Sequence, residues 1–213
     1  MIRSVEALHY RSLRSVHQEL DRFHVLVGPN ASGKTTFFDV VRLLGDLVGG
    51  GLDAAIGART DNLRDLVWLR QGDRFELAVE LDIPEGAPHG PDYDACRYEV
   101  AIGADPTTHE NAILAERLLL LPPAPPRPRQ RALFPEWYPE RAVLQPVHAK
   151  GMRTVVNKTP GGNDTFHGET GRGWVHAFRL GPRRSALGNL PRTSPSSPWP
   201  RSSSARSTRA SRP

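Results

Sequence analysis

Gly28-Pro29-Asn30-Ala31-Ser32-Gly33-Lys34-Thr35 is the stretch that decides the fold. It meets G-x-x-x-x-G-K-[ST] at every defined position. Its flanks fit as well. Phe23-His24-Val25-Leu26-Val27 reads as an apolar strand leading in. From Thr35 onward Phe37, Val40, Val41, Leu44 and Val48 recur at three and four residues, which predicts a helix with one buried face. Gly49-Gly50-Gly51 predicts its end. Strand, glycine loop and helix in this order suit a bound phosphate. The glycines keep Cβ atoms out of the way, and successive backbone N–H groups point at the anion. The helix N-terminus adds a partial positive charge. Lys34 then sets a point charge on the β- and γ-phosphates, and Thr35 offers a hydroxyl to Mg²⁺. Lys34 is one of three lysines beside 25 arginines, so composition does not put a lysine here.

Outward from the loop the chain reads as α/β. Val5 and Ala7, then Val16 to Leu20, suggest two short strands around the turn Tyr10-Arg11-Ser12-Leu13. Asp61 to Trp68 suggests a second short helix. Phe75, Leu77, Val79 and Leu81 alternate with Glu76, Glu80 and Asp82, the mark of a half-buried antiparallel strand. Arg97 to Ile102 reads as its partner, and Ile113 to Leu121 as a further strand stopped by Pro122 and Pro123. Pro122–Pro139 is a proline-rich connection carrying Phe134, Trp137 and Tyr138. Arg153–Asn157 suggests one more strand, Thr159–Gly173 a loop, and Val175–Leu180 a last apolar segment.

Charge divides the 213 residues unevenly. The formal net charge is +5, from 28 Lys and Arg against 23 Asp and Glu. Seven of those arginines lie after Pro182, in a stretch with no acid, which leaves 21 basic against 23 acidic residues in 1–181. The basic excess is a property of the tail, so net charge is no argument for nucleic-acid binding by the rest. The tail also holds 9 Ser and 6 Pro, with Leu187, Leu190 and Trp199 as its large apolar residues. That composition predicts disorder over 182–213. One cysteine, Cys96, excludes a disulfide framework and fits a reducing cytosol, so a cytoplasmic protein is expected. No apolar run reaches the ~20 residues of a membrane-spanning helix, so no membrane partner is expected.

The loop alone does not choose between small kinases, GTPases and ATPase heads. Two features do. A strand pair precedes the loop, and the wording Gly28-Pro29-Asn30-Ala31-Ser32-Gly33-Lys34-Thr35-Thr36 is narrower than the general motif. With Ile2, Tyr10-Arg11-Ser12-Leu13 and Ile113-Leu114-Ala115-Glu116-Arg117-Leu118, it resembles the ABC-type ATPase head of the SMC/RecF-like branch, the bacterial AAA family ATPases. The resemblance is strongest over residues 24–44. It implies a P-loop NTPase N-terminal lobe over 1–181, with antiparallel strands around the P-loop helix. It also implies Mg-ATP held by Asn30 to Thr36, with Thr36 near the α-phosphate and Thr35 at the Mg²⁺. Head-to-head dimers and action on DNA belong to full-length relatives.

The sequence departs from that family in two places. A Walker B strand needs four apolar residues before Asp-Glu. Leu77–Asp82 is the nearest approach, and Glu80 interrupts it. The signature loop needs a serine before paired glycines, which Pro160-Gly161-Gly162-Asn163 lacks. The catalytic residues therefore stay unassigned. Weaker candidates read more simply: Gln71 as a turn residue, Glu116 as a solvent-facing strand residue, and Asp164, His167, Glu169 and His176 as a solvated loop region rather than a metal site. Arg11 and Arg14 beside the loop read equally as phosphate contacts or a solvated turn, Trp137 and Tyr138 as cover for the core edge, and Cys96 as inert.

Residues up to Pro191 keep the family's character, whereas Arg192 onward does not. Acid-free Arg/Ser/Pro sequence is what a GC-rich gene gives when read out of frame, so a frameshift near Pro191 and a truncated N-terminal lobe are expected. A complete small P-loop kinase or nucleotidase, and a non-catalytic nucleotide- or DNA-binding fragment, are the alternatives.

Overall fold

The structure, a computed structural model, describes residues 1–84, 86, 92–123, 142–145, 151–167 and 176–191. Among the described residues eight strands form one sheet: β1 (Ile2–Tyr10), β2 (Leu13–Glu19), β3 (Arg74–Asp82), β4 (Ala95–Ala104), β5 (Asn111–Leu121), β6 (Arg153–Lys158), β7 (Asp164–Phe166) and β8 (His176–Phe178). Their order is β2-β1-β3-β4-β5-β6-β7-β8. Every neighbouring pair is antiparallel. The alternation in β3 sets its register, with Leu77 opposite Val100 of β4 and Ala7 of β1. One residue of slip would turn the apolar side chains away from the core.

Helix α1 (Lys34–Gly57) packs on the apolar face. Val40, Leu43, Leu44 and Leu47 of the helix share a buried cluster with Val5, Phe75, Leu77, Val100 and Ile113 of the sheet. The triple glycine does not end the helix. Gly51 takes φ 82°, the left-handed region open to glycine, and makes a kink. Beyond it Leu52, Ala55 and Ile56 are still buried, so the apolar face carries the helix on to Gly57. The N–H of Leu52 goes to the carbonyl of Arg183 at 2.9 Å. The helix expected over Asp61–Trp68 is two short 3₁₀ turns, Leu63–Leu66 and Trp68–Arg70.

Phe23–Val27 is the main departure from the strand pattern. Among the described residues it joins no ladder, and Phe23, Val25 and Val27 are 83%, 60% and 86% exposed. An apolar run of this kind needs a neighbouring strand to satisfy its backbone, and the sheet order of the described residues leaves none beside it.

The far face of the sheet differs from expectation too. β3 is covered on both sides, and Glu76 is buried. Residues 142–145 lie over it, and the Val143 N–H donates to Glu76 at 2.8 Å. Glu116 is also buried rather than solvent-facing. Its carboxylate accepts from the Tyr98 hydroxyl (2.9 Å), the Ser185 hydroxyl (2.6 Å) and the N–H groups of Ala186 (2.7 Å) and Leu187 (3.0 Å). Four donors satisfy a carboxylate that no water reaches. They also tie residues 182–191 to the core: Ala186 is fully buried, and the Ile113 N–H donates to the Pro182 carbonyl. This stretch, which composition assigns to a disordered tail, is packed in place. Residues 192–213, with the frameshift expectation, lie outside the described residues, as do 124–141 with Phe134, Trp137 and Tyr138.

Candidate nucleotide-binding site

The glycine loop leads directly into α1, as the motif requires. Gly33 precedes the first helical residue with φ 90°, and the Phe37 N–H closes the first turn on the Gly33 carbonyl at 2.8 Å. Gly33 offers no side-chain cap, and the first turn holds no acid. The positive end of the helix is therefore left for an external anion. Ala31 also has a left-handed φ of 65°, a strained conformation for a residue with a Cβ. A Cβ on Gly28 would come within 2.8 Å of the Ser32 hydroxyl, so glycine fits the close fold of the loop there.

Lys34 curls back over the loop. Its Nζ donates to the carbonyls of Gly28 (2.7 Å) and Pro29 (2.6 Å) and to Ser32 Oγ (3.2 Å). Those three oxygens take up the ammonium's three donors. Thr35 is exposed at the start of the helix, so its hydroxyl is accessible. Thr36 points to the β1–β2 turn and receives a hydrogen bond from Ser12 Oγ at 2.9 Å. Gly28, Pro29, Asn30, Ala31, Ser32, Gly33, Lys34, Thr35 and Thr36 are thus one continuous loop and helix start. The donor set suits a polyphosphate with a bound divalent cation.

The turn beside the loop is held by Asp39. This α1 carboxylate accepts from Tyr10 Oη (2.6 Å), from Arg11 (3.0 Å) and from Arg59 (2.9 and 2.8 Å). Burial pushes the Asp39 carboxyl up, but Arg59, Tyr10 and Arg11 outweigh it and leave it below its ordinary value. The Tyr10 phenol is pushed well up by burial and by the adjacent carboxylate. Sequence reading missed Asp39; its place one turn into the helix, facing Tyr10, is visible only in three dimensions.

The remaining candidates do not join this site. Arg11 serves Asp39, and Arg14 lies over the Trp68 ring at 5.3 Å. Gln71 sits in the turn after Trp68. Glu116 is used by the core. Asp164 binds Lys158 at 3.0 Å and the Leu180 N–H at 2.9 Å. Glu169 lies outside the described residues, and among those described no three His, Cys, Asp or Glu group for a metal. Cys96 is buried, and burial raises its thiol. No helix among the described residues is long and apolar enough to cross a membrane.

A structure from work on ATP-driven dimerization and DNA-stimulated activation of SMC ATPases is similar over 55% of this chain and 68% of its own. The two share 20% identity with a TM-score of 0.41. No curated protein matches. The family model described as "AAA domain, putative AbiEii toxin, Type IV TA system" matches residues 23–143, more than half of the chain and including the whole glycine loop. The chain belongs to that AAA-domain family.

Proposed function

We propose that this chain binds Mg-ATP through Gly28–Thr36 and is the N-terminal lobe of an SMC/RecF-like ATPase. The observation that carries the reading is Lys34, whose Nζ already spans the loop by three hydrogen bonds that phosphate oxygens would replace. Main-chain N–H groups at the start of α1 would hold the phosphates, with Thr35 at the Mg²⁺ and Thr36 toward the α-phosphate. The bound cation would supply charge neutralisation on the β- and γ-oxygens. This chain's own part is to bind and orient. Ser12 and Asp39 fix the turn against the helix start and so keep the cradle open in one shape.

The exposed Phe23, Val25 and Val27 support the second half of the proposal. A P-loop strand left unpaired and apolar suits a lobe whose partner strands, with the catalytic acid, belong to the rest of the ATPase. Head-to-head dimerisation, DNA as a partner and a cytoplasmic location are part of the same proposal and rest on family resemblance. Titration calorimetry tests it. Weak Mg-ATP binding is expected in the wild type and none in Lys34→Ala, with negligible hydrolysis by either. Equal affinity in both would remove the binding site from the loop. Robust turnover by the chain alone would favour a complete small kinase or nucleotidase instead.

A further inference from the structure

The face of the sheet away from α1 is lined by charge. Arg97 and Glu99 on β4 are fully buried there, as is Glu76 on β3. Arg97 pairs with Glu6 (2.5 Å), Glu80 (3.2 Å) and Glu99 (3.0 Å), and Arg117 on β5 pairs with Glu99 at 3.3 Å. Residues 142–145 cross this layer without joining a strand ladder among the described residues.

Among the described residues every hydrogen bond from the sheet to this segment goes to its main chain. Glu76 accepts from the N–H groups of Val143 (2.8 Å) and Leu144 (3.4 Å). Glu99 accepts from the Gln145 N–H at 3.0 and 3.1 Å. Arg97 donates to the Val143 carbonyl at 2.8 Å, and Arg117 donates to the Gln145 carbonyl. Carboxylates thus meet N–H groups and guanidinium groups meet carbonyls, the pairing a neighbouring strand would otherwise give. Charge-assisted bonds of this kind are stronger than neutral ones. Val143 is the one buried side chain of the segment.

We propose that this outer sheet face is a main-chain clamp for a crossing peptide segment, with 142–145 as its resident occupant and a strap that opens separately from the sheet. Opening returns charged groups to water, where they are well solvated, and bares little apolar surface. A segment recognised by its peptide groups can vary in sequence and stay bound.

Hydrogen exchange on the full chain tests this. The Val143 and Gln145 amides are expected to exchange through a smaller opening than the Val100 amide at the sheet centre. Leu144→Ser and Gln145→Ala should leave strap protection unchanged. Glu76→Gln, whose other partner Arg74 is exposed, should speed exchange at Val143 and Leu144 roughly tenfold and leave Val100 unaltered. Leu144→Ser loosening the strap as much as Glu76→Gln would overturn the clamp. Strap and sheet amides accelerating together would overturn the separate opening. Should Glu76→Gln not fold, the wild type decides alone: equal protection at Val143 and Val100 overturns the proposal.

Discussion

Phe23–Val27 and Phe75–Asp82 are both short apolar runs with strand character, and they end in opposite states. The second is β3, paired with β1 on one edge and β4 on the other, with Phe75 and Leu77 buried under α1. The first is equally apolar and pairs with nothing among the described residues. The difference is one of partners, not of propensity. A strand's backbone groups must be satisfied across a ladder, so β character becomes structure only where a neighbour is supplied.

The comparison is most sharply tested in β3. Leu77→Ala removes a fully buried side chain between sheet and helix and should cost about 2–5 kcal/mol. Val25→Ala, in the exposed run, should fall within about 0.5 kcal/mol of wild type. Urea unfolding of the two variants reads both, and similar losses would mean that Val25 is packed after all. Next in size is Glu116→Ala. It strands the Tyr98 hydroxyl and the Ala186 and Leu187 N–H groups, at about 2 kcal/mol. Proteolysis of this variant should begin within 182–191, and an unchanged cleavage pattern would show that Glu116 does not hold that stretch.

A smaller effect comes from the His17–Glu6 pair at the β2 edge, 3.2 Å apart. The hydrogen bond to Glu6 raises the His17 imidazole above its ordinary value, although partial burial opposes it. The stability it adds is fully present below about pH 6.5 and is lost as pH rises through the raised value. His17 is half-exposed, so solvent screening keeps the effect under about 1 kcal/mol. Burial pushes the Glu6 carboxyl up, but His17 and Arg97 hold it down at about 2, so its contribution is present above about pH 4.5 and is lost as pH falls through about 2. Urea midpoints across pH 5–9 should decline toward alkali, and His17→Ala should flatten that decline. The smallest change in stability is expected from Val25→Lys, within about 0.5 kcal/mol. Its readout is self-association: an exposed, uncharged β-prone run pairs with copies of itself, so the lysine should lower concentration-dependent light scattering. Unchanged scattering would show that the run is not the sticky segment.

Much of the fold was legible because period-2 alternation and helical spacing survive in single segments. Phe75–Leu81, Arg97–Ile102 and Phe37–Val48 each show their inner face without reference to the others. The loop was legible because its glycines and Lys34 answer a local requirement. The buried carboxylates were not. Glu76, Glu99 and Glu116 look like solvent-facing strand residues until segments more than 40 residues away cover them. Asp39 likewise reads as an ordinary helix residue until Tyr10, Arg11 and Arg59 converge on it.

The sequence by itself therefore determined a P-loop at a helix start, an antiparallel lobe around it, and membership of an ATPase family. Tertiary structure alone decided which charges are interior, that Ser185 and Ala186 anchor 182–191 to the core, and that the run before the loop stands without a ladder among the described residues. The physical reason is range. Turn chemistry and amphipathic period act over a few residues, whereas burial of a charge and completion of a ladder depend on which distant segment arrives beside them.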